Sequence, residues 1–477
     1  MRGPVALLLV VTLLRLYVAA TTGIVDDEAY YWVWSQHLAA GYYDHPPGIA
    51  WLIAPFAAIF GPTSFGVRAG PVLASAAAAA MLLPYARDRW LFVLIFAATP
   101  LLCLGGLLAT PDAPLVFGWA LALGGAFRAV SGDPRAWLVA GLGVGIAGLG
   151  KYTGWGIWPL ILAGVASLRV FPAGGADLPA AGGGEASQGR GPWLLGGLLV
   201  TLLALAPNLA WNAAHDWISV KFQAGHGLGG QGATSHEAPG WLGALELLGA
   251  QAGLVTPVLF GAAVAFWVRP GRDAISRLAW WTSLPVLVFF TLAATIARGE
   301  PNWAAPAWIG AAVGLSRAGP RVRRAAWVGS GLAAVVTLLA FVHLYRPVIA
   351  LPGDPTARLG AGAVLAESVQ AWGVEPVYTE RYQEAAVIRY YQGLEAYALP
   401  GVGRADQYDL WPTPWSGHAL VVRPWRGGDG MPTDRFCADR GEREVVTERS
   451  DTEILGRWQV AEVWGCAAEL TPTEESR

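Results

Sequence analysis

Charge is what this chain has least of. Only 14% of its 477 residues are Asp, Glu, Lys or Arg, where soluble domains carry roughly 25%. Lysine is nearly absent: of the 32 basic residues, only Lys151 and Lys221 are lysine. The net charge is −2 and there are three cysteines. A basic nucleic-acid-binding surface and a disulfide-dense scaffold are therefore both excluded. The phosphate-binding loop of nucleotide-driven pumps, the GxSxG nucleophile elbow and paired CxxC zinc motifs are missing too, which argues against a nucleotide-powered transporter.

What is there suits lipid. Hydrophobic residues form 54% of the chain, with 24 tryptophans and a mean hydropathy of +0.43. A helix needs about 20 mostly apolar residues to cross a bilayer, and lipid leaves its backbone no partner but itself. Eleven stretches read as such helices, at about 4–22, 66–86, 90–109, 114–131, 136–150, 155–170, 193–213, 240–267, 277–297, 302–317 and 325–346. The first is read as an uncleaved span, not a signal peptide, because its run continues through Arg15 and Tyr17 to an acid cluster. Arginines orient the set. Arg87, Arg89, Arg128, Arg135 and the group Arg317 to Arg324 fall on the cytoplasmic side, and few cations fall opposite. The same orientation puts Asp26, Asp27, Glu28, Asp44, Asp112, His215, Asp216, His226 and Glu300 outside, as chemistry at the outer membrane surface requires.

Residues 1–349 thus read as a transmembrane domain with a first external loop at about 23–65. From 350 to 477 charges become frequent and strand-like segments alternate with a helical one, the pattern of a small extracytoplasmic α/β domain. The Gly/Ala-rich stretch 171–192 reads as a cytoplasmic linker. Cys437 and Cys466 share the last domain, where an oxidising compartment permits a disulfide; two unpaired buried cysteines are the alternative.

Six stretches hold the chemistry-bearing residues. "DDEAYYWVWSQHLAAGYY" (26–43) starts with a triple acid and continues with aromatics suited to the headgroup layer. One acid would suffice as a helix cap, so three suggest a carboxylate aimed at substrate. "YDHPPG" (43–48) holds Asp44 and His45 before two prolines, and an ordinary turn is its simpler reading. "TPDAP" (110–114) offers Asp112 either as a cap or as a second acid. "GKYTG" (150–154) sets Lys151 among glycines, which let a ligand approach, and a lysine offers a point charge for phosphate; snorkelling is the alternative. "HDWISVKFQAGHG" (215–227) brings histidines and an acid to one loop, a donor set for a divalent metal, and "RGEPNWAAPAW" (298–308) supplies Arg298, Glu300 and Asn302.

In order and content these stretches resemble the GT-C type glycosyltransferases that use polyprenyl-phosphate sugars, in the family 39/83-like bacterial branch that includes protein O-mannosyltransferases and aminoarabinose lipid A transferases. "DDEAYYWVWSQHLAAGYYDHPPGIAWL" carries the resemblance best, with "ERYQEAAVIRYY" and "GRADQYDLW" extending it into the tail. The resemblance implies a GT-C-like helical membrane fold in the bacterial inner membrane and single displacement with inversion. Asp27 matches the catalytic acid and Asp112 a second acidic position, with Glu28 beside them. Asp44 and His226 match metal ligands, so a divalent cation is the one cofactor implied. Lys151 matches a lysine for the lipid phosphate. His45 stands where a lysine usually follows the metal-binding acid, and neutral imidazole is a weaker partner for phosphate.

The expectation is therefore a polytopic enzyme moving a sugar from a polyprenyl-phosphate donor to an envelope acceptor (lipid A, a glycan or a protein), with Asp26, His45, Lys151, Arg298 and Glu300 binding substrate. A transporter or flippase of lipid-linked sugars is the main rival, and it would carry its ionisable residues near mid-bilayer. A scaffold without catalysis is the other.

Overall fold

Two of the expected spans are cut just before a proline, although three other helices run through one. A computed structural model describes residues 2–170, 190–228, 240–297, 299–346, 348, 354–426, 436–449 and 454–467. Helices α1 (Arg2–Thr21), α2 (Asp26–Gln36), α3 (Gly48–Phe60) and α4 (Ser64–Leu82) come first. The span expected at 90–109 is two helices, α5 (Arg89–Ala98) and α6 (Pro100–Gly105). Pro100 has no N–H to continue a helix and holds Thr99 extended at ψ 139°. The stretch expected at 240–267 is also broken, into Trp241–Val255 and Pro257–Val268, bent by 110°. Between them Thr256 takes φ 77° and its hydroxyl accepts the Leu259 N–H.

Six described helices are long and apolar enough to cross a bilayer, or seven when the bent pair counts as one span. The rest of the expected spans are shorter apolar helices, among them α5 and α8 (Ala136–Gly150). The chain is a multi-pass helical membrane protein.

Inside lipid the hydrophobic effect does not drive helix against helix, so packing falls to small residues. A Cβ added at Gly118 of α7 (Asp112–Val130) would sit 2.3 Å from Ala147 N, and one at Gly143 of α8 would sit 2.2 Å from Ala122 N. The two backbones touch, which fixes the start of α7 against the end of α8.

Contacts divide the chain into two units. The first comprises Met1–Val18, Ala39–Leu52 and Arg68–Phe341; the second comprises Ala19–Leu38, Ile53–Val67 and Val342–Arg477. α2, from the first loop, thus packs with the C-terminal region. There a five-stranded sheet runs in the order β2-β1-β3-β5-β4, with β1 (Val377–Thr379), β2 (Ala396–Ala398), β3 (His418–Pro424), β4 (Asp439–Arg449) and β5 (Ile454–Trp464). β1 lies parallel to β2 and β3, while β5 is antiparallel to β3 and β4. Parallel neighbours need a crossover, supplied between β1 and β2 by the helix Tyr382–Gln392.

Cys437 and Cys466 are bonded, 29 residues apart, within a core that includes Tyr378, Val421 and Val463. Closing a loop of that length restricts the unfolded chain by about 3–4 kcal/mol. The double variant Cys437→Ser/Cys466→Ser is expected to lower the melting temperature of the purified protein, and reductant is expected to reproduce the shift in the parent only.

Candidate active site

Asp112 is the first residue of α7. The residue before the helix, Pro111, makes no side-chain cap, and the Asp112 carboxylate is turned to distant partners rather than to its own backbone. Lys151 Nζ lies 2.7 Å from Asp112 Oδ1, with the two side chains only 12% and 10% exposed. Asn302 Nδ2 donates to Asp112 Oδ2 at 2.6 Å. Three separate motifs, "TPDAP", "GKYTG" and "EPNW", therefore meet at one carboxylate. Snorkelling is not what Lys151 does.

The local chain explains the meeting. α8 ends at Lys151, whose backbone is extended at ψ 145°. Gly150 is needed for close approach: a Cβ there would lie 2.6 Å from Leu115 N. The glycine serves α7 against α8, not the ligand expected from sequence. On the far side, Gln251 Nε2 donates to Pro301 O at 2.7 Å and Trp308 Nε1 to Gln251 Oε1 at 2.9 Å. That buried amide network holds the Pro301–Ala304 turn that presents Asn302.

Asp112 and Asn302 also border a cavity of about 130 Å³, lined largely by apolar groups such as Phe96, Leu101, Leu108 and Val116. Behind its Ser75 and Leu102 wall lies Arg15, 1% exposed, which donates to Ser75 Oγ at 3.0 Å and Leu102 O at 3.4 Å.

The first-loop turn belongs to the same unit. Asn208 Nδ2 donates to Ala40 O at 2.9 Å and Gln223 Nε2 to Asp44 O at 2.6 Å, pinning "GYYDHPPG" at both ends. A Cβ on Gly48 would lie 2.5 Å from Leu149 O, next to the Lys151 turn. Asp44 is buried at 4% exposure, and His45 O accepts the Tyr42 N–H at 3.2 Å. Glu300 precedes the Pro301–Ala304 turn, half-buried, and its carbonyl accepts the Trp303 N–H.

In the second unit the triple acid separates into different roles. Asp26 and Asp27 are exposed. Asp27 Oδ1 accepts the Tyr382 hydroxyl at 3.1 Å, and Asp26 Oδ1 accepts the Asp27 N–H at 3.1 Å. Glu28 is fully buried and its Oε2 accepts the Val25 N–H at 3.1 Å. A buried carboxylate bound to its own helix start serves as a cap, so Glu28 fits structure rather than the catalytic place expected for it.

Arg298 lies outside the described residues, as does the side chain of His226. Among the described residues no group of three or more His, Cys, Asp or Glu side chains could hold a metal ion. The expected pairing of Asp44 with His226 at a metal therefore falls partly outside the described residues, and no step below passes through a metal. His215 stacks on Trp211 at 4.0 Å and donates from Nδ1 to Trp211 O, a helix-end arrangement.

Asn208, Gln223, Gln251 and Tyr382 escaped the reading of the sequence. The amides had a signal: in stretches otherwise apolar they are polar groups that demand partners. Tyr382 had none beyond its place in "ERYQEAAVIRYY".

Fold and site together define a multi-pass membrane protein whose buried polar cluster lies at helix ends and whose C-terminal α/β region packs with an acid-bearing helix. Parts or all of the chain are similar to known proteins. The dolichyl-phosphate-mannose-protein mannosyltransferase family matches residues 44–211. The lipid A galacturonosyltransferase RgtD of Rhizobium johnstonii is 30% identical over 60% of this chain, and the match spans 59% of that relative's length. The crystal structure of ArnT from Cupriavidus metallidurans bound to undecaprenyl phosphate superposes with a TM-score of 0.61 at 17% identity, covering 96% of this chain and 98% of that one. The apo form of ArnT gives 0.60 at the same identity, over 97% and 98%. The chain has the fold of ArnT, and it spans about three fifths of the length of the curated relative it matches.

Proposed function

We propose that the chain transfers a sugar from a polyprenyl-phosphate donor to lipid A at the extracytoplasmic face of the bacterial inner membrane, and that galacturonic acid is the sugar to test first. The observation that carries this reading is the buried cluster Asp112, Lys151 and Asn302, of which Asp112 and Asn302 line an apolar cavity. An ammonium bonded to a residue of an apolar cavity wall suits a phosphate attached to a prenyl chain. Lys151 directs one of its three N–H groups to Asp112, leaving two for phosphate oxygens. With one oxygen on Lys151 and the other on Asn302, Asp112 orients the lysine rather than taking a proton. The names of the relatives supply the substrates: one acts on lipid A with galacturonic acid, and ArnT was solved with undecaprenyl phosphate. The disulfide supports an oxidising side for the α/β region.

In the reaction, Asp27 takes the proton of the acceptor hydroxyl as that oxygen bonds to the anomeric carbon. The bond from the anomeric carbon to the phosphate oxygen breaks, its electron pair leaves with the polyprenyl phosphate, and Lys151 stabilises the charge gained. Attack opposite the leaving group inverts the anomeric configuration.

The test is radiolabelled undecaprenyl-phosphate galacturonic acid with lipid A in vesicles holding the purified protein. Label on lipid A is expected; label moved across the vesicle without transfer would assign a flippase instead. If a divalent cation is held by Asp44 and His226, a chelator is expected to lower transfer in the same assay and added cation to restore it; indifference to the chelator would reject that site.

A further inference from the structure

The α/β region takes no direct part in the proposed transfer, yet it packs against the acid end of α2. Its motif "ERYQEAAVIRYY" places Tyr382 at the start of the helix Tyr382–Gln392, directly against the acid end of α2. Tyr382 is not a loose neighbour. Its ring lies 4.3 Å from that of Tyr30, one turn along α2 from Asp27. The Arg404 guanidinium lies over the Tyr382 ring, 4.9 Å from its centroid. Tyr30 is fixed in turn, because its hydroxyl accepts the Gln407 N–H at 2.8 Å. Trp32 packs edge-on to Tyr390 at 5.4 Å, further along the same two helices. The α2 backbone and the Tyr382 ring are therefore both held before the hydroxyl reaches the carboxylate.

An exposed aspartate on its own samples several rotamers, and a general base works only when its lone pair points at the proton it takes. A phenol donating to Oδ1 narrows those rotamers and fixes the plane of the carboxylate. A cation near the ring face polarises the phenol and strengthens its donation. We propose that Tyr382 is a positioning residue for the Asp27 carboxylate, so that the α/β region is part of the transfer machinery and not only a cover or an acceptor-selecting module. This rests on the assignment of Asp27 as the base.

The test compares Tyr382→Phe, Asp27→Asn and the parent in the vesicle assay, with thermal melts of each. Tyr382→Phe is expected to lower kcat about tenfold, less than the roughly 10²–10⁴-fold that the base itself contributes, since the base remains and only its orientation is loosened, with KM for donor and acceptor within about twofold of the parent and an unchanged melt. A loss confined to KM would make Tyr382 a substrate contact, and unchanged kinetics would leave it structural; either overturns the proposal. Full transfer by Asp27→Asn would instead remove the base assignment. A second measurement needs no activity: labelling of Asp27 by a water-soluble carbodiimide and an amine, read by mass spectrometry, is expected to rise severalfold in Tyr382→Phe, because the phenol no longer donates to Oδ1. Equal labelling in the two proteins would refute the contact whatever the sugar proves to be.

Discussion

Asp27→Asn is expected to abolish sugar transfer while the protein still inserts and folds. The replacement keeps the shape of the side chain and leaves an amide oxygen to accept the Tyr382 hydroxyl, so α2 keeps its seat on the helix Tyr382–Gln392. Asp27 is exposed, which limits what folding loses. The amide has no basicity with which to take a proton, and removal of a general base lowers rates by about 10²–10⁴. Its neighbour two positions from Asp26 behaves oppositely. Glu28→Ala leaves the Val25 N–H without its acceptor beside a fully buried site, which costs about 1–3 kcal/mol and lowers the melting temperature. Transfer assays and thermal melts on the two variants separate chemistry from capping within one short acid run. Full activity in Asp27→Asn would discard the mechanism.

Asp112→Ala is expected to damage folding most. It would leave the Lys151 ammonium in a site where the side chain is 12% exposed, with no counter-charge. Breaking a buried pair on one side costs about 3–5 kcal/mol, chiefly because the remaining charge is stranded. Removing both charges avoids that penalty, so Asp112→Leu/Lys151→Met is expected to recover much of the lost stability. It is not expected to recover transfer, since no ammonium remains to meet the lipid phosphate. The readout is a pair of melting curves set beside donor binding, measured with undecaprenyl phosphate on the purified proteins. A double variant that binds undecaprenyl phosphate as tightly as the parent would take Lys151 out of the donor site.

The helices were legible because lipid imposes a simple rule: each span must satisfy its own backbone and show apolar side chains. That rule located helical density along the chain, yet it passed over the breaks at Thr99–Pro100 and Thr256–Pro257, where apolarity continues but the hydrogen-bond ladder does not. The glycines of "GLGKYTG" were noticed for a correct reason, close approach, and given the wrong neighbour, because a sequence does not say whether ligand or helix comes near. Asp112 and Lys151 stood out as charges where charge is scarce. Their pairing did not, and neither did the amide of Asn302, which lies 190 residues beyond Asp112.

By itself the order of residues determined that this chain lives in a bilayer, that its tail builds a separate kind of structure, and which few charged groups need a reason. Those are consequences of composition and local pattern, and they hold whatever the helices do next. Only the tertiary structure decided the roles. Asp26, Asp27 and Glu28 are three like acids in a row, but the helical turn buries Glu28 and exposes Asp27, and a tyrosine 355 residues away selects the carboxylate it holds. Hydrogen bonds and ion pairs reach about 3 Å, so what a polar group does is set by what folding brings within that distance.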